Sequence, residues 1–92
     1  MSVIYCYVDP FVMNQKIYLV NDMSPAGQEL IAKTVLENLS YALTYYYYEN
    51  NCEKMILSST SKNLIDDIIF GVEVNAGLTA YKNKPKINIE VI

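Results

Sequence analysis

Two adjacent carboxylates, Asp66 and Asp67, stand inside the apolar run Leu64-Ile65-Asp66-Asp67-Ile68-Ile69-Phe70-Gly71-Val72. Paired carboxylates can share a proton or flank a substrate, but both arrangements need the groups aimed at one point. Consecutive residues of an α-helix point about 100° apart, so this pair fits acid–base work poorly. In or just before the first turn of a helix, the two charges would favour the positive end of its dipole by about 0.3–1 kcal/mol each. A second candidate is Ser58-Ser59-Thr60-Ser61-Lys62. The chain has no histidine, so a serine nucleophile here would need Lys62 or another lysine as its base. Capping a following helix is the simpler role for these hydroxyls, and the segment lacks the glycines of a phosphate cradle.

The remaining reactive residues exclude more than they offer. Cys6 and Cys52 form no CxxC pair and have no histidine to join them, so no zinc site, and no metal or cofactor of any kind, is expected. The four successive rings Tyr45 to Tyr48 resemble a stacking platform for single-stranded nucleic acid, which also needs a cationic groove. All seven basic residues are lysines, against ten acids, for a net charge of −3. Their one cluster, Lys82, Lys84 and Lys86, reads as an answer to the negative end of a helix. Nucleic-acid binding is therefore not expected, and the tyrosines divide between core and surface. The first lysine is Lys16 and no apolar run approaches the length of a membrane span, so neither a signal peptide nor a membrane segment is expected, and the expected location is cytoplasmic. Asn38-Leu39-Ser40 matches a glycosylation sequon, which is silent in a cytoplasmic chain.

The elements that position these groups follow from periodicity. With 52% hydrophobic and 18% charged residues, residues 1–92 read as a single globular α/β domain. Ser2 to Val8 is β-branched and aromatic and stops at Asp9-Pro10, a strand. Ile17 to Val20 is a second, reached through Phe11 to Gln15 with Asn14-Gln15 as the turn. Asn21-Asp22-Met23 leads to Ser24-Pro25, an N-cap followed by a first-turn proline. Leu30, Ile31, Val35, Leu39, Ala42, Leu43 and Tyr46 then recur at spacings of three and four, which predicts a helix over 25–47. Met55-Ile56-Leu57 reads as a buried parallel strand, Ser58 to Asn63 as a polar loop, and Leu64 to Ala76 as a second helix fraying near Gly77. Ile87, Ile89 and Val91 alternate with polar residues as a last, edge strand.

The expected fold is thus a four-stranded, mostly parallel sheet in the order strand, strand, helix, strand, helix, strand. Right-handed crossovers that progress one way put both helices on one face. The first two strands are apolar on both sides: Val3, Tyr5 and Tyr7 one way, Ile4, Cys6 and Val8 the other. An uncovered apolar sheet face predicts self-association, as a dimer, or a stable partner across it, with Tyr5, Tyr7 and Tyr18 as the homotypic surface.

The stretch Leu64 to Val72, following a strand and a short loop, resembles the STAS domain of bacterial anti-sigma-factor antagonists. That family's pattern, hydrophobic-Ile-Asp-Ser-Ser/Thr-Gly-Leu-Gly-Val at a helix start, runs without a gap along Leu64-Ile65-Asp66-Asp67-Ile68-Ile69-Phe70-Gly71-Val72. Ile65-Asp66 and Gly71-Val72 match as residues. The resemblance implies a non-enzymatic, regulatory protein-binding module with an unidentified protein partner at Ser61, Lys62, Asp66, Asp67 and Phe70. The family's phosphorylatable serine corresponds to Asp67, which carries a fixed charge of −1 in place of the near −2 of phosphoserine. The family's closing C-terminal helix has no counterpart in residues 1–92. A rival resemblance, to the Clp-protease and crotonase architecture, rests on the same alternation from Lys16 to Ile92. It lacks the family's glycine-rich oxyanion segment, since Ser58 to Asn63 has no glycine, and implies an inactive fragment or assembly subunit.

Overall fold

A computed structural model describes residues 2–21, 24–78 and 80–92. Five strands form one mixed sheet: β1 (Val3–Val8), β2 (Asn14–Val20), β3 (Gln28–Val35), β4 (Lys54–Ser59) and β5 (Ile89–Val91). They lie in the order β3-β2-β1-β4-β5. β1, β2 and β3 are an antiparallel meander, while β1–β4 and β4–β5 are parallel. Helix α1 (Leu39–Glu49) precedes β4, and α2 (Lys62–Ala76) links β4 to β5.

The sheet therefore has five strands and is mixed, not four and mostly parallel. The fifth strand comes from the segment expected to begin a long helix. Ser24-Pro25 does open a helical turn, but it is one short 3-10 turn, Pro25–Gly27, closed by Gly27 N–H donating to the Ser24 carbonyl at 3.0 Å. Asp22 and Met23, read as the lead-in to that helix, lie outside the described residues. Gln28–Val35 then pairs with β2 along its whole length. The three-and-four spacing of Leu30, Ile31 and Val35 coexists with β-branched residues at Ile31, Thr34 and Val35, and ladder hydrogen bonds beside β2 decide the outcome. The register shifts between Ile17 and Tyr18, so Ile31 is an extra residue. This bulge lets both Ile31 and Ala32 pack on the core while Leu30 stays on the other face.

Only the second half of the expected helix is helical. Leu39, Leu43 and Tyr47, spaced by four, are buried along α1. The helix runs to Glu49, two residues past its expected end at Tyr47, and Asn51 adopts φ 50°, a left-handed value that asparagine tolerates. β4 runs two residues past its expected end because Ser58 and Ser59 pair with Tyr7 and Val8. Likewise β2 begins at Asn14, so the turn lies in residues 9–13 rather than at Asn14-Gln15. Buried Gln15 fixes that turn: its Oε1 accepts from Asp9 N–H at 2.9 Å, and its Nε2 donates to the Asp9 carbonyl at 2.8 Å.

Both helices cover one face, as expected. Ile4, Cys6 and Val8 of β1, Ile17 of β2, and Met55 and Leu57 of β4 are fully buried in one cluster with α1 and with Ile65, Ile68 and Val72 of α2. The helices meet at a close approach. Ser40 Oγ donates to the Ile68 carbonyl at 3.1 Å, and a Cβ added at Gly71 would lie 2.7 Å from the Ser40 Cβ. Gly71→Ala is expected to lower stability by about 1–3 kcal/mol through overpacking, read as a reduced urea midpoint. Ser40→Gly in that background should restore part of the loss.

Candidate functional site

The face of the sheet away from the helices carries the alternate residues of each strand. Tyr5 of β1 pairs directly across with Tyr18 of β2, and Val3 with Val20. On the other flank Tyr5 stands beside Ile56 of β4, and Tyr18 stands beside Leu30 of β3. Tyr7 is 43% exposed. The structure thus brings Tyr5, Tyr7 and Tyr18 together on one continuous face. No described element covers it.

This face is hollowed in two places. A cavity of about 360 Å³ is lined by Val3, Tyr5, Val20, Ile56 and Ile92, with Ser24 and Gln28 at its polar edge. A second, of about 330 Å³, lies towards the β1–β2 turn between Tyr7, Val12, Lys16 and Tyr18. Charges keep to the margins. Lys54 pairs with Glu90 at 3.3 Å with both side chains partly exposed, a contact worth little by itself. Lys16 faces Lys33 across β2 and β3 on the far margin.

The partner residues expected on α2 lie on the opposite side of the molecule. Ser61 is the N-cap, its Oγ accepting from Leu64 N–H at 3.3 Å. The helix begins at Lys62, so Asp66 and Asp67 fall in its second turn, beyond the reach of its N-terminal dipole. The expected placement in or before the first turn is corrected by this earlier start, which Ser61 capping and the longer β4 produce. Lys62, Asp66, Asp67 and Phe70 are all exposed, Phe70 at 69%. The two groups of expected contact residues are therefore two separate surfaces.

Val20, Leu30, Ile56 and Ile92 complete the open face with Val3 and were not assigned to it from the sequence. For Val20 the signal was available, because the pairing that sets Tyr18 against Tyr5 also sets Val20 against Val3. Leu30 was hidden by its apparent helical spacing.

Ser59 and Ser61 are engaged in structural hydrogen bonds. Ser59 Oγ donates to the Val8 carbonyl at 2.7 Å and accepts from Ser61 N–H at 3.1 Å. Among the described residues no lysine ammonium hydrogen-bonds to either serine, and no cluster of three or more metal-binding side chains occurs. Cys6 and Cys52 are both buried and unpaired. Burial pushes the Cys6 thiol up to about 12 and the Cys52 thiol up to about 11, so neither forms a thiolate near neutrality. Among the described residues no helix is long and apolar enough to cross a membrane.

No family model matches this sequence, and no curated protein is significantly similar to it.

An aromatic disulfide reagent at pH 8 is expected to find no reactive thiol in the native protein and both after denaturation. The same burial makes stability depend on pH. The folded chain keeps thiol protons that the unfolded chain releases near 9.0, so stability should fall as pH rises from about 9 towards 11–12, read from urea midpoints across that range.

Proposed function

We propose that this chain is a non-enzymatic, protein-binding regulatory module that works as a homodimer joined through the open sheet face. The observation that carries this reading is the contiguous apolar strip Val3, Tyr5, Val20, Ile56 and Ile92, flanked by Tyr18 and Leu30. An antiparallel sheet with one face in water ordinarily alternates to polar residues on that side. This one presents aliphatic side chains and tyrosines, which bury well and keep a polar tip.

A twofold axis along the strands would set the β3 edge of one copy over the β5 edge of the other. Opposed sheets about 10 Å apart would then interdigitate their side chains, as in a sandwich. The STAS-like pattern adds a second contact region, to an unidentified protein, on the outer side of α2. There Asp66, Asp67 and Phe70 are exposed together, and the fixed charge of Asp67 stands where that family is phosphorylated. The rival reading, an assembly subunit of Clp-protease-like architecture, calls for higher oligomers.

Light scattering across micromolar concentrations is expected to give twice the chain mass. Tyr5→Lys should shift the protein to monomer with an unchanged circular dichroism spectrum, while Phe70→Ala and Asp67→Ser should leave the dimer intact. A clean monomer for the unaltered chain would overturn the homodimer, and a hexamer or larger ring would favour the rival.

A further inference from the structure

We propose that a cleft on the helix side of the sheet, behind β5, binds a small aromatic anion: a planar ring bearing a phosphate or carboxylate. The cleft has a volume of about 280 Å³, near the lower end of the range for small-molecule sites. It opens on the side of the molecule away from the tyrosine-lined sheet face, so it is independent of the proposed dimer.

Three features converge there. Val72 of α2 and Ile87, both buried, give it an apolar floor. Tyr48 and Tyr81 form one wall, their rings stacked with centroids 4.7 Å apart and planes 15° from parallel. Lys82, Lys84 and Lys86 line the cleft together with a single acidic residue, Glu73. This is three of the seven lysines in a chain of net charge −3.

The platform is preformed. Tyr48 Oη donates to the Pro85 carbonyl at 2.8 Å, and Asn88 N–H donates to Tyr47 Oη at 3.3 Å, so two α1 side chains hold the lysine-bearing segment. Within that segment Lys84 N–H donates to the Tyr81 carbonyl at 2.9 Å. A ring held in place this way loses little freedom when a ligand stacks on it.

Structural duties do not account for the lysines. Their expected role was to close a helix, but α2 ends at Ala76, before all three, and has no basic residue in its last turn. Its terminal carbonyls are already taken: Glu73 and Val74 accept from Gly77 N–H, and Asn75 accepts from Leu78 N–H. The last carbonyls of α1 accept likewise from Asn50, Asn51 and Cys52. Among the described residues none of the three lysines makes an ion pair. An anion in the cleft would meet three lysines, and a flat ring beside it would extend the tyrosine stack.

Phenyl phosphate titrated into the ¹⁵N-labelled full chain tests the site. Saturable shifts are expected at Tyr48, at Glu73 to Gly77 and at residues 81–87, with a Kd on the order of 0.1–1 mM. Phenol and inorganic phosphate should each bind at least about tenfold more weakly, and added salt should weaken the complex. Tyr81→Leu, and Lys84→Gln with Lys86→Gln, should each reduce affinity about fivefold or more while leaving the melting temperature unchanged. Phosphate alone binding as tightly as phenyl phosphate, or non-saturating shifts spread equally to Lys16, Lys33 and Lys54, would overturn the proposal. So would unchanged binding by Tyr81→Leu.

Discussion

The structure depends on the two-sidedness of β1. This strand is hydrogen-bonded on both edges, to β2 and to β4, so its backbone is satisfied within the sheet and its side chains must go up or down. Ile4, Cys6 and Val8 go under the helices and lose all exposure. Each apolar side chain so buried contributes about 1.5–3 kcal/mol, and both helices draw on this one surface. Gly71 and Ser40 set how closely α1 and α2 can approach each other above it.

That arrangement leaves the reverse side of β1 without protein cover. Two helices shield one face of a five-stranded sheet, and the chain described has no third layer. Tyrosines and aliphatic residues fill the centre of the exposed side, and Lys16, Lys33, Lys54 and Glu90 stay at its margins. The helix side is finished differently. There the tyrosine-rich end of α1 is spent on anchoring the segment after α2, through Tyr47 to Asn88 and Tyr48 to Pro85. Burial holds the Tyr48 proton more tightly than usual, with Tyr47 and Tyr81 nearby adding to the effect, so the phenol remains a neutral donor to that carbonyl.

Legibility of the fold followed how local each signal was. β1 and the apolar stripe of α2 could be read directly, because propensity and period agree within a few residues. Gln28–Val35 could not. Its apolar residues satisfy helical spacing and, once Ile31 is taken as a bulge, strand alternation as well, and only the ladder with β2 separates the two. The start of α2 was misplaced for a related reason: Ser58 and Ser59 look like loop residues until β1 extends alongside them. Of the candidate site, Tyr5, Tyr7 and Tyr18 were legible from alternation alone, whereas Leu30 and Ile92 join them only through pairing with β2 and β4.

By itself the sequence determined an α/β chain, without histidine chemistry, whose first strand is apolar on both sides, since composition and period-two alternation are properties of neighbouring residues. The tertiary structure decided that β3 is a strand, that Asp66 and Asp67 lie a turn into α2, and that the three late lysines ring a cleft beside Tyr48 and Tyr81. Each of those outcomes turns on a contact between residues distant in the chain, and a local pattern does not carry the energy of such contacts.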